Sequence, residues 1–269
     1  MNRKSFFSAV LLTLAAVVHA EGKKEDVSVF ALDRPVLSAH FRLHHEGALA
    51  PAGVVYMLEN LHARLSLDLG LFQAAAPGGV LDVYLYASST SYHARAAPSP
   101  WAAAHIHGRS IYGYESPAFQ QTLAHELGHH FFGGYFLVAS TAPPLWLNEG
   151  VAQMMEWEYG LEQQSAAVDR WLAREGTIPF DQFFQFAYHG APADDAGGEA
   201  VTKWYRQAMS LTRYLMREFP PVLFLRFCEQ LRAGRPLDAA LAAAYGAGLP
   251  DAAALERQWR ASIDGKKTR

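Results

Sequence analysis

The sequence predicts an α+β fold, with an N-terminal mixed α/β lobe holding a small sheet and a mainly helical lobe after it. Three observations carry that prediction. Strand-like alternation and helix-like spacing both occur before residue 115. From Gln163 onward the apolar spacing is almost wholly helical, broken only at Gly and Pro. A hydrophobic content of 51%, with 13% aromatic residues, supplies a sizeable core for a chain of 269 residues. We divide it into a targeting segment (1–20), an α/β lobe (21–115) and a helical lobe (116–269), the two lobes forming one domain.

Met1 to Ala20 reads as a signal peptide. Arg3 and Lys4 give a positive start, Phe6 to Val18 is an apolar run too short to span a bilayer comfortably, and Val18-His19-Ala20 offers a small-residue cleavage site. No Cys follows it, which disfavours a lipid anchor. The expectation is export, to the periplasm or beyond the cell, with no membrane anchor after cleavage. Cys228 is the single cysteine, so no internal disulfide forms. A net charge of −3 gives no reason to expect nucleic acid or an acidic membrane surface as partner.

In the first lobe, Ser38 to His45 alternates like a strand. Alternation sets His40 and His44 opposite Phe41 and Leu43, on a face expected to be solvated. Val54 to Leu69 has helical spacing through Val55, Leu58, Leu61 and Leu65. Pro77-Gly78-Gly79 is a turn, and Val80 to Tyr86 is the clearest strand. Ala94 to Ser110 reads as a loop, with His105 and His107 expected to be exposed in it. Arg109 to Tyr114 reads as a short strand.

Ser116-Pro117 then opens a helix by N-cap and first-position preference, and Gly133-Gly134 is expected to stop it. That helix carries His125, Glu126 and His129. Residues four apart lie about 40° apart around a helix and roughly 6 Å along it, so both imidazoles can aim at one point. Zinc accepts imidazole nitrogen at about 2 Å. Glu126 projects about 100° round from His125, beside the metal, where a base for a water belongs. Pro143-Pro144 opens the next helix, whose Asn148-Glu149-Gly150 supplies a carboxylate. Catalytic zinc commonly keeps three protein ligands and one open position, and His125, His129 and Glu149 meet that count. The competing third ligands fare worse. A metzincin pattern would place Gly at 132 and His at 135, where Phe132 and Tyr135 stand. His130 turns about 140° away from His125, and nothing near Cys228 suggests a site.

His125-Glu126-Leu127-Gly128-His129 with Asn148-Glu149-Gly150 resembles the gluzincin metallopeptidases, the thermolysin-like clan, and most of all their small bacterial peptidase MA-like members. The specific motifs cover about thirty residues, and a looser likeness runs from Ala39 to Ile263. The resemblance implies a zinc peptidase fold with the metal in a cleft between the lobes, one zinc per chain, and hydrolysis of a peptide or protein substrate. It also implies that Arg109 to Tyr114 is an edge strand pairing with substrate backbone, a mode that suits an endopeptidase. Trp204 to Leu211 is similar to the family's tyrosine-bearing helix, which makes Tyr205 the donor to the oxyanion, with His189 as the alternative. Family members commonly carry a carboxylate where Gln153 stands. The Gly-x-Met-Glu-Asn pattern of the aminopeptidases is absent, so no acidic group is evident for gripping a free N-terminus.

The function expected is therefore an exported zinc endopeptidase with Glu126 as base and acid. Two other classes compete with it. One is a peptidase-fold binding protein without turnover, which the intact Glu126 disfavours. The other is a zinc hydrolase of a non-peptide amide such as a cell-wall linkage.

Overall fold

The computed structural model describes residues 25–31, 34–47, 51–73, 79–97, 102–160, 165–186 and 195–265. The expected signal peptide, His189 and the basic tail from Lys266 lie outside the described residues. Described residues within Met1–His62 and Gly79–Glu126 form one compact unit, and those within Ala63–Gly78 and Leu127–Arg269 form a second. A five-stranded mixed sheet accompanies eleven α-helices among the described residues, an α+β architecture as the sequence predicts.

The sheet belongs to the first unit. Its strands are β1 (Val36–Leu37), β2 (Phe41–His45), β3 (Leu81–Tyr86), β4 (Ala104–His107) and β5 (Ser110–Tyr114), in the spatial order β1-β2-β3-β5-β4. β2, β3 and β5 run parallel, while β1 and β4 pair antiparallel at the two edges. Two-residue periodicity sorts the side chains. Phe41, Leu43, Leu81, Val83 and Ile111 are paired in register and buried on one face. His62 of helix α1 (Pro51–Asp68) meets Phe41 edge-on there, at 5.9 Å. Along α1, Leu58, Leu61 and Leu65 are buried, the stripe that the spacing predicts.

The opposite face carries an aromatic ladder. His44, Tyr84, Tyr112 and His105 stack ring on ring across four neighbouring strands, with centroids 4.6, 5.0 and 4.8 Å apart and planes within 11° of parallel. The segment before β1 covers part of this face. Phe30 meets Tyr84 and Tyr86 edge-on, the Tyr86 hydroxyl donates to the Asp26 carbonyl at 2.9 Å, and Arg95 pairs with Asp26 at 2.6 Å.

The structure corrects four local expectations here. His44 is buried, because its ring stacks on Tyr84 and pairs with Asp82 at 3.0 Å. The stretch from Ala94 to Ser110 is not one loop. Helix α3 (Ser89–Arg95) ends in it and β4 forms inside it. His105 is consequently a buried strand residue, although His107 is exposed as expected. Finally, β5 is interior, so the edge position falls to β4. A two-residue turn joins β4 to β5, with Gly108 at φ 61°, and only a residue without Cβ takes that first position readily.

The second unit is helical. Helix α2 (Gly70–Gln73) sets Phe72 against Phe132, Tyr135 and Phe224. Helix α4 (Phe119–Leu137), whose residues up to Glu126 belong to the first unit, begins three residues after Ser116 and runs straight through Gly133-Gly134, against expectation. Phe132 and Phe136 on either side are fully buried, and tertiary packing of that kind overrides a glycine cost of about 1 kcal/mol each. The real stop is a Schellman arrangement. Thr141 N–H donates to Phe136 O, Ser140 N–H donates to Leu137 O, and Ser140 sits at φ 54°.

Helices α5 (Leu145–Gly160), α6 (Ser165–Glu175), α7 (Phe180–Phe183) and α8 (Asp195–Arg217) follow, then α9 (Pro221–Arg232), α10 (Leu237–Tyr245) and α11 (Ala252–Asp264). α8 runs through Gly197 and Gly198. Buried Asp169 of α6 accepts from Ser210 at 2.6 Å and from Arg213, and the Trp259 indole donates to Ser210 at 3.0 Å, which ties α6, α8 and α11 together. No described helix is long and apolar enough to cross a membrane.

Candidate metal centre

α4 carries His125 and His129 four residues apart, both buried. α5 is launched by Pro144, whose carbonyl accepts from the Leu147 and Asn148 N–H groups at 3.0 Å each. The two helices approach closely because Gly128 faces Ala152. A Cβ at Gly128 would stand only 3.0 Å from the Ala152 Cα. Glu149 lies one turn before Ala152 and so comes back toward the histidine pair.

The outcome is a buried cluster in which ligand atoms of His125, His129 and Glu149 all lie within 4.8 Å of one another. His129 Nε2 and Glu149 Oε2 are 3.6 Å apart. Two ligands each about 2 Å from a tetrahedral centre stand about 3.3 Å apart, so this pair is close to the spacing zinc requires. The donor set, two imidazoles and one carboxylate, is also one that zinc takes. Among the described residues no other group of three His, Cys, Asp or Glu brings its ligand atoms within 4.8 Å of one another. The structure therefore brings the three predicted ligands together, and they can hold a metal ion.

Glu126, next to His125 on α4, is fully buried. Burial first, and the Glu126 carboxylate next, hold the Tyr92 phenol above its ordinary range. Tyr205 is buried on α8, edge-on to Trp204 at 5.3 Å. It lies one turn before Ala208, and α8 meets α5 at that point. A Cβ built on Gly150 would stand 2.5 Å from the Ala208 carbonyl oxygen and would overlap Thr212 Oγ1. Gly150 follows Glu149 directly, so this contact fixes where the carboxylate starts.

Gln153 is buried; its amide donates to Glu156 at 2.9 Å and accepts from the Trp157 indole at 3.2 Å. His130 is half-buried beside Phe131 and does not join the cluster. Cys228 is buried near Phe224 and Phe227, and burial raises its thiol pKa well above the usual value, which disfavours thiolate ligation. Sequence reasoning missed the two glycine contacts, Gly128 with Ala152 and Gly150 with Thr212. Their signal was present, since each glycine interrupts an otherwise helical pattern beside a ligand.

No family model matches this chain, and no curated protein does either. The functional reading therefore stands on the residues and their geometry.

Proposed function

We propose that the chain is an exported zinc metallopeptidase, an endopeptidase acting on peptide or protein substrates. One observation carries this reading: a buried His125, His129 and Glu149 cluster with a carboxylic acid, Glu126, on the same helix and adjacent to a ligand. A metal kept only to hold the fold needs no such base.

His125, His129 and Glu149 would hold the ion. Zinc bound there supplies Lewis acidity, polarising a carbonyl and making water easier to deprotonate. Glu126 takes the proton from the attacking water on a carboxylate oxygen and delivers it to the leaving amine. Tyr205 is the proposed donor to the developing oxyanion, on the strength of its burial in the α8 segment that abuts α5. The gluzincin resemblance of the two motifs supports the same assignment, and the missing aminopeptidase pattern supports endopeptidase action.

A mixed-sequence peptide library separates this from the competing classes. Zinc-loaded protein should cut peptides at internal bonds, and a chelator or Glu126→Gln should stop it. Zinc binding with no cleavage of any peptide would leave a binding protein or a hydrolase of another amide.

A further inference from the structure

We propose that His105, His107 and Glu25 form a second site for a divalent transition-metal cation of zinc's class, at the β4 edge of the sheet. The two histidines are at i and i+2 on one strand. Strand periodicity puts both side chains on the same face, with their Cβ atoms roughly 7 Å apart. Glu25 reaches both. Its Oε1 is 3.5 Å from His105 Nε2 and 3.0 Å from His107 Nδ1. Those values bracket the separation of about 3.3 Å between two ligand atoms on a tetrahedral ion. One carboxylate oxygen thus already stands at ligand spacing from an imidazole nitrogen of each histidine.

The support around His105 is that of a ligand. Its other nitrogen, Nδ1, lies 2.9 Å from the hydroxyl of fully buried Tyr92. A hydrogen bond there fixes the ring and leaves Nε2 as the coordinating atom, as outer partners of metal-bound histidines do. The ring is further clamped by stacking on Tyr112 at 4.8 Å and 11°. The two imidazole nitrogens that Glu25 meets stand more than 4.8 Å from each other, so an ion closes the shell by drawing the 72% exposed His107 ring toward His105. The two imidazoles and one carboxylate suit zinc, nickel or copper better than magnesium or calcium, which prefer all-oxygen shells. A cation here would also clip the segment before β1 to the edge strand, because Glu25 is in the first and the histidines are in the second. This site shares no ligand with the His125, His129 and Glu149 cluster, so the two stand or fall separately.

Cobalt(II) is the probe. Chelator-treated full-length chain is dialysed against it and bound cobalt per chain is counted. Wild type should hold two ions, His107→Ala one, Glu25→Gln one, and His125→Ala one. Because His107 is exposed, its removal should leave folding intact. In the His125→Ala background, cobalt should still raise the melting temperature, and adding His107→Ala should abolish that rise. Two ions retained in both His107→Ala and Glu25→Gln would overturn the proposal. So would a wild type that holds a single ion and loses it on His125→Ala. A single ion lost in His107→Ala and kept in His125→Ala would uphold this site and remove the metallopeptidase reading instead.

Discussion

Replacing Gly150 by alanine should damage the metal centre without touching a ligand. The new methyl carbon would lie 2.5 Å from the Ala208 carbonyl oxygen, 2.9 Å from Thr212 Cβ, and closer still to Thr212 Oγ1. A comfortable carbon–oxygen contact is about 3.5 Å, so α5 and α8 must part by roughly 1 Å. The backbone carbonyl cannot rotate aside as a side chain can. Overpacking of this kind costs about 1–3 kcal/mol, against a helix-propensity gain of about 1 kcal/mol for alanine over glycine. The net loss, up to about 2 kcal/mol, corresponds to a melting temperature up to roughly 8 °C lower. Thermal unfolding of the metal-free protein isolates that packing effect. Zinc competition then reads the shift of Glu149, and we expect affinity to fall about 10-fold or more, the scale seen when a ligand's support is disturbed. Thr212→Ala added to Gly150→Ala should restore part of both, since the Ala208 carbonyl still intrudes. Gly53→Ala on α1 is the control, because a Cβ there meets nothing within 4 Å and should leave stability equal or slightly higher. A Gly150→Ala protein as stable as the wild type, with unchanged zinc affinity, would refute the argument that this glycine sets the position of Glu149.

Three further outcomes follow from the site and the sheet. Glu126→Gln should keep its zinc and lose turnover, whereas Glu149→Ala should lose zinc; metal analysis with a peptide assay would show the roles exchanged if the pattern reversed. Tyr205→Phe should lower kcat on the order of a hundredfold with little change in KM or zinc content, and near-normal turnover would remove Tyr205 from the site. Burial pushes the His105 imidazole down to about 4, against about 6.5 in an unfolded chain. The unfolded state therefore takes the proton first as pH falls, so the stability held by neutral His105 is complete above about pH 6.5 and is lost as pH falls toward 4. That loss is on the order of 3 kcal/mol in chelator-treated protein, and His105→Gln should flatten the profile; an unchanged slope would reject the assignment.

The ligands were legible because a helix converts sequence spacing into direction, and His125, His129 and Glu149 needed only that conversion plus a ligand count. Leu58, Leu61 and Leu65 were legible for the same reason. The strand β4 was not, since the alternation of Ala104 to His107 is only four residues long and follows a run of alanines, and its pairing with β5 supplies what the local sequence lacks. His44 and His105 were misread as solvated because polarity alone does not reveal a stacking partner brought from another strand. The end of α4 was misplaced because the expectation weighed Gly133-Gly134 by propensity, while buried phenylalanines carry the helix past them and a serine at φ 54° ends it.

The His44, Tyr84, Tyr112 and His105 ladder also has a temporal consequence. His105 and Tyr112 meet within the β4–β5 hairpin, but Tyr84 and His44 come from strands far away along the chain, so the rest of the ladder cannot form by local closure. The ladder is complete only when the parallel strands join, because contacts of long sequence separation are slow to form. Protons of the two histidines held over tyrosine faces should resonate upfield of their ordinary positions. Refolding followed by NMR should show the shifted His105 signal no later than that of His44, which waits for β2 and β3 to pair.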